Sequence, residues 1–173
     1  MRVASLLILC MLLLLHPARA QSPASWRDDL VDHVAGTWIM TGTVMGKAAH
    51  HEVQAEWVLN HQFLRIHEKT MATAPKDEHA YEAIWFLGYD SGKKQYVMHL
   101  MDIFGAPYSE TLGYGAREGD EIRFVFDYPD GPFHTTFRWN SAHNTWQWLM
   151  EQKDKSGKWA PFADLTLAPA VPR

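Results

Sequence analysis

The chain has 173 residues, 16 Lys plus Arg against 20 Asp plus Glu, and a single cysteine, with 47% of its residues hydrophobic. That length suits one domain better than two. The acidic balance and the scattered placement of the basic residues argue against nucleic acid or an anionic membrane surface as a main partner.

At the N-terminus, Arg2 precedes an apolar run over residues 3–15 and then Ala18-Arg19-Ala20, the small-x-small pattern read by signal peptidase. This predicts a cleaved secretory signal over residues 1–20, with Gln21 as the mature N-terminus and a periplasmic or extracellular location. The apolar run falls short of the roughly 20 residues needed to span a bilayer, so no membrane span is expected in the mature chain. Cleavage removes Cys10 and two basic residues, Arg2 and Arg19, leaving 14 basic against 20 acidic residues and a formal net charge of −6. Without a thiol the mature chain forms no disulfide, and its core must carry the stability.

Residues 25–33 predict a short helix, with Ser25 as N-cap, Asp28 and Asp29 in the first turn, and Trp26 and Leu30 on one face, placed to lid one end of the fold. From Trp38 to Leu167 the sequence runs through about ten short alternating segments closed by Gly-, Pro-, Asn- or Asp-containing breaks. Strands are expected at about 36–44, 50–59, 62–70, 79–89, 95–101, 108–115, 121–127, 133–140, 145–153 and 159–167. Asn60-His61 is expected as a two-residue turn, residues 72–78 as the longest exposed loop, and Asp90-Ser91-Gly92-Lys93-Lys94 as a hairpin connection. The fold class is therefore all-β, an up-and-down antiparallel barrel with a short N-terminal helix. Its parts are a signal (1–20), a helical segment (21–35), the barrel (36–168) and a Pro-rich tail (169–173).

Ala35-Gly36-Thr37-Trp38 resembles the first-strand signature of the calycins, the group of lipocalins, fatty-acid-binding proteins and haem-binding nitrobindins. Glu56-Trp57-Val58-Leu59-Asn60-His61-Gln62-Phe63-Leu64, then Leu87-Gly88-Tyr89-Asp90, Lys93-Lys94-Gln95-Tyr96-Val97 and Asp102, resemble the landmarks of a bacterial family of uncharacterised lipocalin-like secreted proteins. The resemblance covers about residues 36–167. It implies a closed meandering barrel with a cavity and carries no activity with it. Many relatives have Gly-Gly where this chain has Asn60-His61, so a differently shaped hairpin is expected there.

Eight Trp, six Tyr and eight Phe supply flat apolar surface for a core or a cavity wall. One strand face gives Trp57, Trp85, Leu87, Tyr96, Met98 and Leu100 as the expected lining of a site for a small apolar or amphipathic molecule. The opposite face would substitute Ile84, Phe86, Val97, His99 and Met101. Arg65, which shares its face with Phe63 and His67, is a candidate for holding a ligand carboxylate. Arg123 and Arg138 read as outer-face residues, and Trp146 and Trp148 as core rather than a ligand platform.

His67, His99 and His134 fall mid-strand, and an inward one could serve as an axial haem ligand. No cofactor is expected ahead of that alternative. His50 and His51 cannot both face inward, and no metal-ligand spacing appears. Asp102, Glu110 and Glu56 could meet at one barrel end for acid–base work, although Asp102 fits a strand-terminating cap better. Ser91 does not fit a nucleophile elbow. A binding protein is thus expected ahead of an enzyme. A protein-interaction module without a small ligand, such as a homodimer formed through two-sided apolar strands, is the third reading.

Overall fold

The period-two alternation is realised as ten antiparallel strands. A computed structural model describes residues 25–74 and 80–170. The strands are β1 (Gly36–Val44), β2 (Lys47–Val58), β3 (Phe63–Thr70), β4 (Glu82–Asp90), β5 (Gln95–Asp102), β6 (Leu112–Glu118), β7 (Glu121–Tyr128), β8 (Gly131–Asn140), β9 (Thr145–Lys153) and β10 (Trp159–Pro169). Each pairs with its neighbours in sequence, and β1 pairs with β10 to close the barrel. Closure leaves no strand edge free to pair with another chain.

The side chains sort by alternation. Val53 and Ala55 of β2, Leu64 and Ile66 of β3, Trp85 and Leu87 of β4, and Tyr96 and Met98 of β5 are buried inside. Their neighbours Gln54, Glu56, Arg65 and His67 lie on the outer face. A one-residue slip in any strand would turn its apolar set to solvent, so the pattern also fixes the register.

One barrel end is closed by the N-terminal segment. The helix α1 spans only Asp29–Asp32 and is capped by Asp28, whose Oδ1 accepts from Leu30 N at 2.9 Å and Val31 N at 3.1 Å. The cap is therefore Asp28 and not Ser25, because a carboxylate three residues further on meets the free N–H groups of the first turn directly. Leu30, Val31 and Val34 are buried against the barrel. Four indole N–H groups tie this lid down: Trp26 donates to Gln62 O (2.9 Å), Trp38 to Val34 O (2.8 Å), Trp57 to Asp32 Oδ1 (2.9 Å) and Trp146 to His33 O (3.2 Å). Arg117 Nη1 adds contacts to Asp28 Oδ1 at 2.9 Å and Asp29 Oδ1 at 2.6 Å.

Several boundaries differ from expectation, β2 beginning at Lys47, β6 running to Glu118 and β8 beginning at Gly131 among them. Tyr108 does not begin a strand: it ends a 3₁₀ turn at Ala106–Tyr108, where Pro107 and the positive φ of Gly105 (87°) bend the chain. The β2–β3 turn uses three left-handed residues, Leu59, Asn60 and His61 (φ 51°, 56° and 62°), rather than two. That conformation is one glycine adopts freely and other residues seldom do, so all three positions carry a steric cost. β4 begins at Glu82 rather than near residue 79. The signal over residues 1–20, much of the loop over 72–78, and the last three tail residues lie outside the described residues.

Candidate functional site

A ten-stranded barrel encloses more space than an eight-stranded one, and here side chains fill only part of it. Trp85 on β4 and Trp148 on β9 come from opposite sides of the ring of strands, yet their ring centroids are 6.2 Å apart. Phe137 stacks on Trp148 at 4.3 Å and 14°. This aromatic layer fills the barrel at its middle. Beyond it, toward the lid, Leu87, Met98 and Phe124 are fully buried and the interior is closed.

On the other side of the layer lies a cavity of about 770 Å³, open between the β1–β2, β5–β6 and β7–β8 connections. Its walls are mostly apolar, and Trp85, Leu100, Phe126, Met150 and Leu165 contribute to them. That volume falls in the range typical of small-molecule sites. A second, smaller hollow of about 330 Å³ on the outer wall, lined by Glu52, Gln54 and His67, has no comparable apolar interior.

The cavity contains a compact polar group on the β2–β5 wall. His51 Nδ1 lies 2.6 Å from Glu68 Oε1, and both side chains are 5% exposed. Trp85 Nε1 donates to Glu68 Oε2 at 3.3 Å. Tyr81 stacks on the His51 ring at 5.8 Å and donates its hydroxyl to Asp102 Oδ2 at 3.4 Å. Burial, with the nearby Glu68 and Asp102 carboxylates, pushes the Tyr81 hydroxyl far above its ordinary pKa, so it stays a neutral donor. Burial, with Asp102, raises Tyr128 in the same direction. On the opposite wall Thr135 is fully buried, and its Oγ1 has no hydrogen-bond partner.

The expected lining residues all lie on the inward face, but only two of them reach the cavity. Trp85 and Leu100 line it. Leu87 and Met98 belong to the closed half, and Trp57 and Tyr96 pack beneath the lid, Trp57 at 5.1 Å from Trp26 and Tyr96 bonded to Asp28. Arg65 is corrected: it faces outward, where Nη2 meets Glu56 Oε1 at 2.6 Å, because its strand phase is opposite to that of Leu64 and Ile66.

The candidate haem ligands are corrected for the same reason. His67 pairs with Glu82 at 2.7 Å, His99 with Ser109 O at 2.7 Å, and His134 stacks on Trp159 at 3.7 Å, all on the outer face. Glu56 and Asp102 do not meet either, since Glu56 is outward near the lid while Asp102 stands at the open end. Asp102 does terminate its strand, accepting from Phe104 N at 2.9 Å. Arg138 and Arg123 lie outside, at 2.7 Å and 3.5 Å from Glu121, and Trp146 and Trp148 are core.

His51, Glu68, Tyr81 and Thr135 were not singled out from the sequence. The signal was there for Glu68, which follows Leu64 and Ile66 in the buried phase of β3 as a carboxylate where an apolar residue is the norm. Among the described residues no group of three or more His, Cys, Asp or Glu is placed to hold a metal ion, and no helix is long and apolar enough to cross a membrane.

Fold and site together define a closed antiparallel barrel with a blocked middle and a cavity open at one end. No family model and no curated protein matches the chain.

Proposed function

We propose that the protein binds a small apolar or amphipathic molecule in the barrel cavity, and that it works outside the cytoplasm as an exported, lipocalin-like carrier. The observation that carries this reading is the 770 Å³ cavity above the Trp85–Trp148 layer. A core built only for stability would be filled at close-packed density, and this interior is filled so on the lid side alone. Export is supported by the Arg2, apolar and Ala18-Arg19-Ala20 succession at the N-terminus.

Native mass spectrometry of the protein purified gently from the compartment to which it is exported tests both parts. A chain beginning at Gln21 with a discrete added mass is the expected result. A bare chain that takes up no apolar probe overturns the binding reading, and a chain retaining residues 1–20 overturns the processing.

The buried His51–Glu68 pair favours one second reading, proton transfer on a bound substrate, with Glu68 fixing the imidazole orientation. Under that reading a ligand incubated with the protein is recovered chemically altered, and His51→Asn abolishes the change while retaining the bound mass.

A further inference from the structure

The charges facing the cavity are unbalanced. The lining carries three carboxylates, Glu68, Asp102 and Asp130, against two lysines, Lys47 and Lys153, and His51 stands beside Glu68. The lysines near the mouth do not correct this at depth. Both belong to the lining but are exposed at its mouth, Lys47 on the rim and Lys153 with Nζ 5.6 Å from the Trp159 ring centroid. An anionic head group brought to this wall would face like charge in a weakly solvated site, whereas a cation would find an opposite one.

Aromatic rings surround the same wall. Tyr81, Trp85, Phe104 and Tyr128 all line the cavity, with Tyr81 and Phe104 centroids 6.2 Å apart. Their π faces attract a cation and repel an anion. Independently, Thr135 on the same lining has a fully buried hydroxyl without a partner, which a pure hydrocarbon would leave unmet. The site is therefore built for an occupant that carries polar atoms.

From this geometry we infer that the cavity selects an amphipathic amine, its apolar body on the Trp85–Trp148 layer and its protonated nitrogen at the Glu68–Asp102 wall. The inference rests on the binding reading and specifies its ligand class.

The test is titration of the lipid-stripped mature protein with dodecylamine, dodecanol and dodecanoate, each below its micelle concentration, followed by tryptophan fluorescence and calorimetry. The amine is expected to bind at least about tenfold more tightly than the carboxylate, with the alcohol between them. Asp102→Asn and Glu68→Gln are each expected to narrow the amine-to-carboxylate ratio by about fivefold or more. Asn at 102 can still accept from Phe104 N, and its half-buried place at the open end makes it the variant to read if the Glu68 replacement does not fold. Equal binding of all three ligands, or tighter dodecanoate binding with Lys47 as its anchor, overturns the inference and leaves the binding reading standing. A ratio unchanged in the folded Asp102→Asn variant also overturns it. If none of the three ligands binds, both readings fall together.

Discussion

Gly113→Ala tests whether the cavity wall is packed as tightly as its floor. Gly113 on β6 lies inside the barrel opposite Phe126 of β7, whose ring covers it. A Cβ added there would sit 2.5, 2.6 and 2.8 Å from three atoms of that ring. Ordinary carbon contacts are about 3.5–4.0 Å, so the ring must lift by roughly 1 Å. It cannot slide freely, because it is 1% exposed and stacks on Tyr128 at 5.7 Å and 5°. The remaining direction is into the cavity. Overpacking of this kind costs about 1–3 kcal/mol. At about 2–4 °C per kcal/mol for a domain of this size, the melting midpoint should fall by about 2–12 °C. Apolar-probe affinity should fall with it, since Phe126 lines the site. Thermal unfolding and probe titration read the two effects. Phe126→Leu in the same chain removes the clash, and a double-mutant cycle should give a coupling of at least about 0.5 kcal/mol. An unchanged melting midpoint and unchanged probe binding in the single variant would refute the reasoning, because the ring would then lift at no cost.

The other predictions concern the lid, the buried hydroxyl and pH. Asp28→Ala removes the helix cap and the partner of Arg117 and Tyr96, and should cost about 1–2 kcal/mol, read as a lower melting midpoint and altered Trp26 fluorescence. Thr135→Val replaces a partnerless buried hydroxyl with a methyl of the same shape, and should stabilise the empty barrel by about 1 kcal/mol; a lower midpoint would show that the hydroxyl is satisfied. Burial, with Arg123 nearby, holds the His134 imidazole below its ordinary value of 6.5. Its folded pKa is thus under its unfolded one, so its contribution is present above about pH 6.5 and is lost as the pH falls through the folded value. His134→Phe keeps the Trp159 stack and should flatten the pH dependence of stability in that window, as followed by denaturant unfolding.

The barrel was legible because alternation has a period of two and side chains on a closed sheet have two destinations. Residues 81–101 carried large side chains on both faces, yet the reading that sent Trp85, Leu87, Tyr96, Met98 and Leu100 to one side matches their inward placement. Strand phase alone does not give depth. It could not show that Trp85 and Trp148 meet across the ring and divide the interior, because that contact joins residues 63 positions apart on opposite strands. Trp57 and Tyr96 were therefore grouped with Trp85, although they lie under the lid. Arg65 and His67 went astray through their neighbour Phe63, an aromatic that is itself 37% exposed; Leu64 and Ile66 carried the true phase. The helix boundary was missed because Ser25 and Asp28 are both competent caps, and only the docked positions of Leu30 and Val31 select between them.

The two halves of the barrel differ in how they treat polar atoms. At the lid, four indole N–H groups and Arg117 end on carbonyls or carboxylates, so the rings of Trp26, Trp38, Trp57 and Trp146 are packed with their hydrogen bonds met, whereas Trp148 Nε1 in the middle layer has no partner. At the open end Glu68 is 4% exposed with His51 and Trp85 as partners, while Thr135 Oγ1 is buried with none. Buried polar groups in an otherwise apolar wall oppose folding unless fully paired. Selection for stability alone would favour apolar residues in the buried phases of β3 and β8, as at Ile66 and Phe137 one step deeper on the same strands. Glu68 and Thr135 stand where the cavity begins, and an occupant that bonds to them would offset their cost only when bound. On that account, replacing them separates the two properties: the empty barrel of Thr135→Val gains stability, and the charge-altered Glu68→Gln loses its discrimination between cationic and anionic ligands.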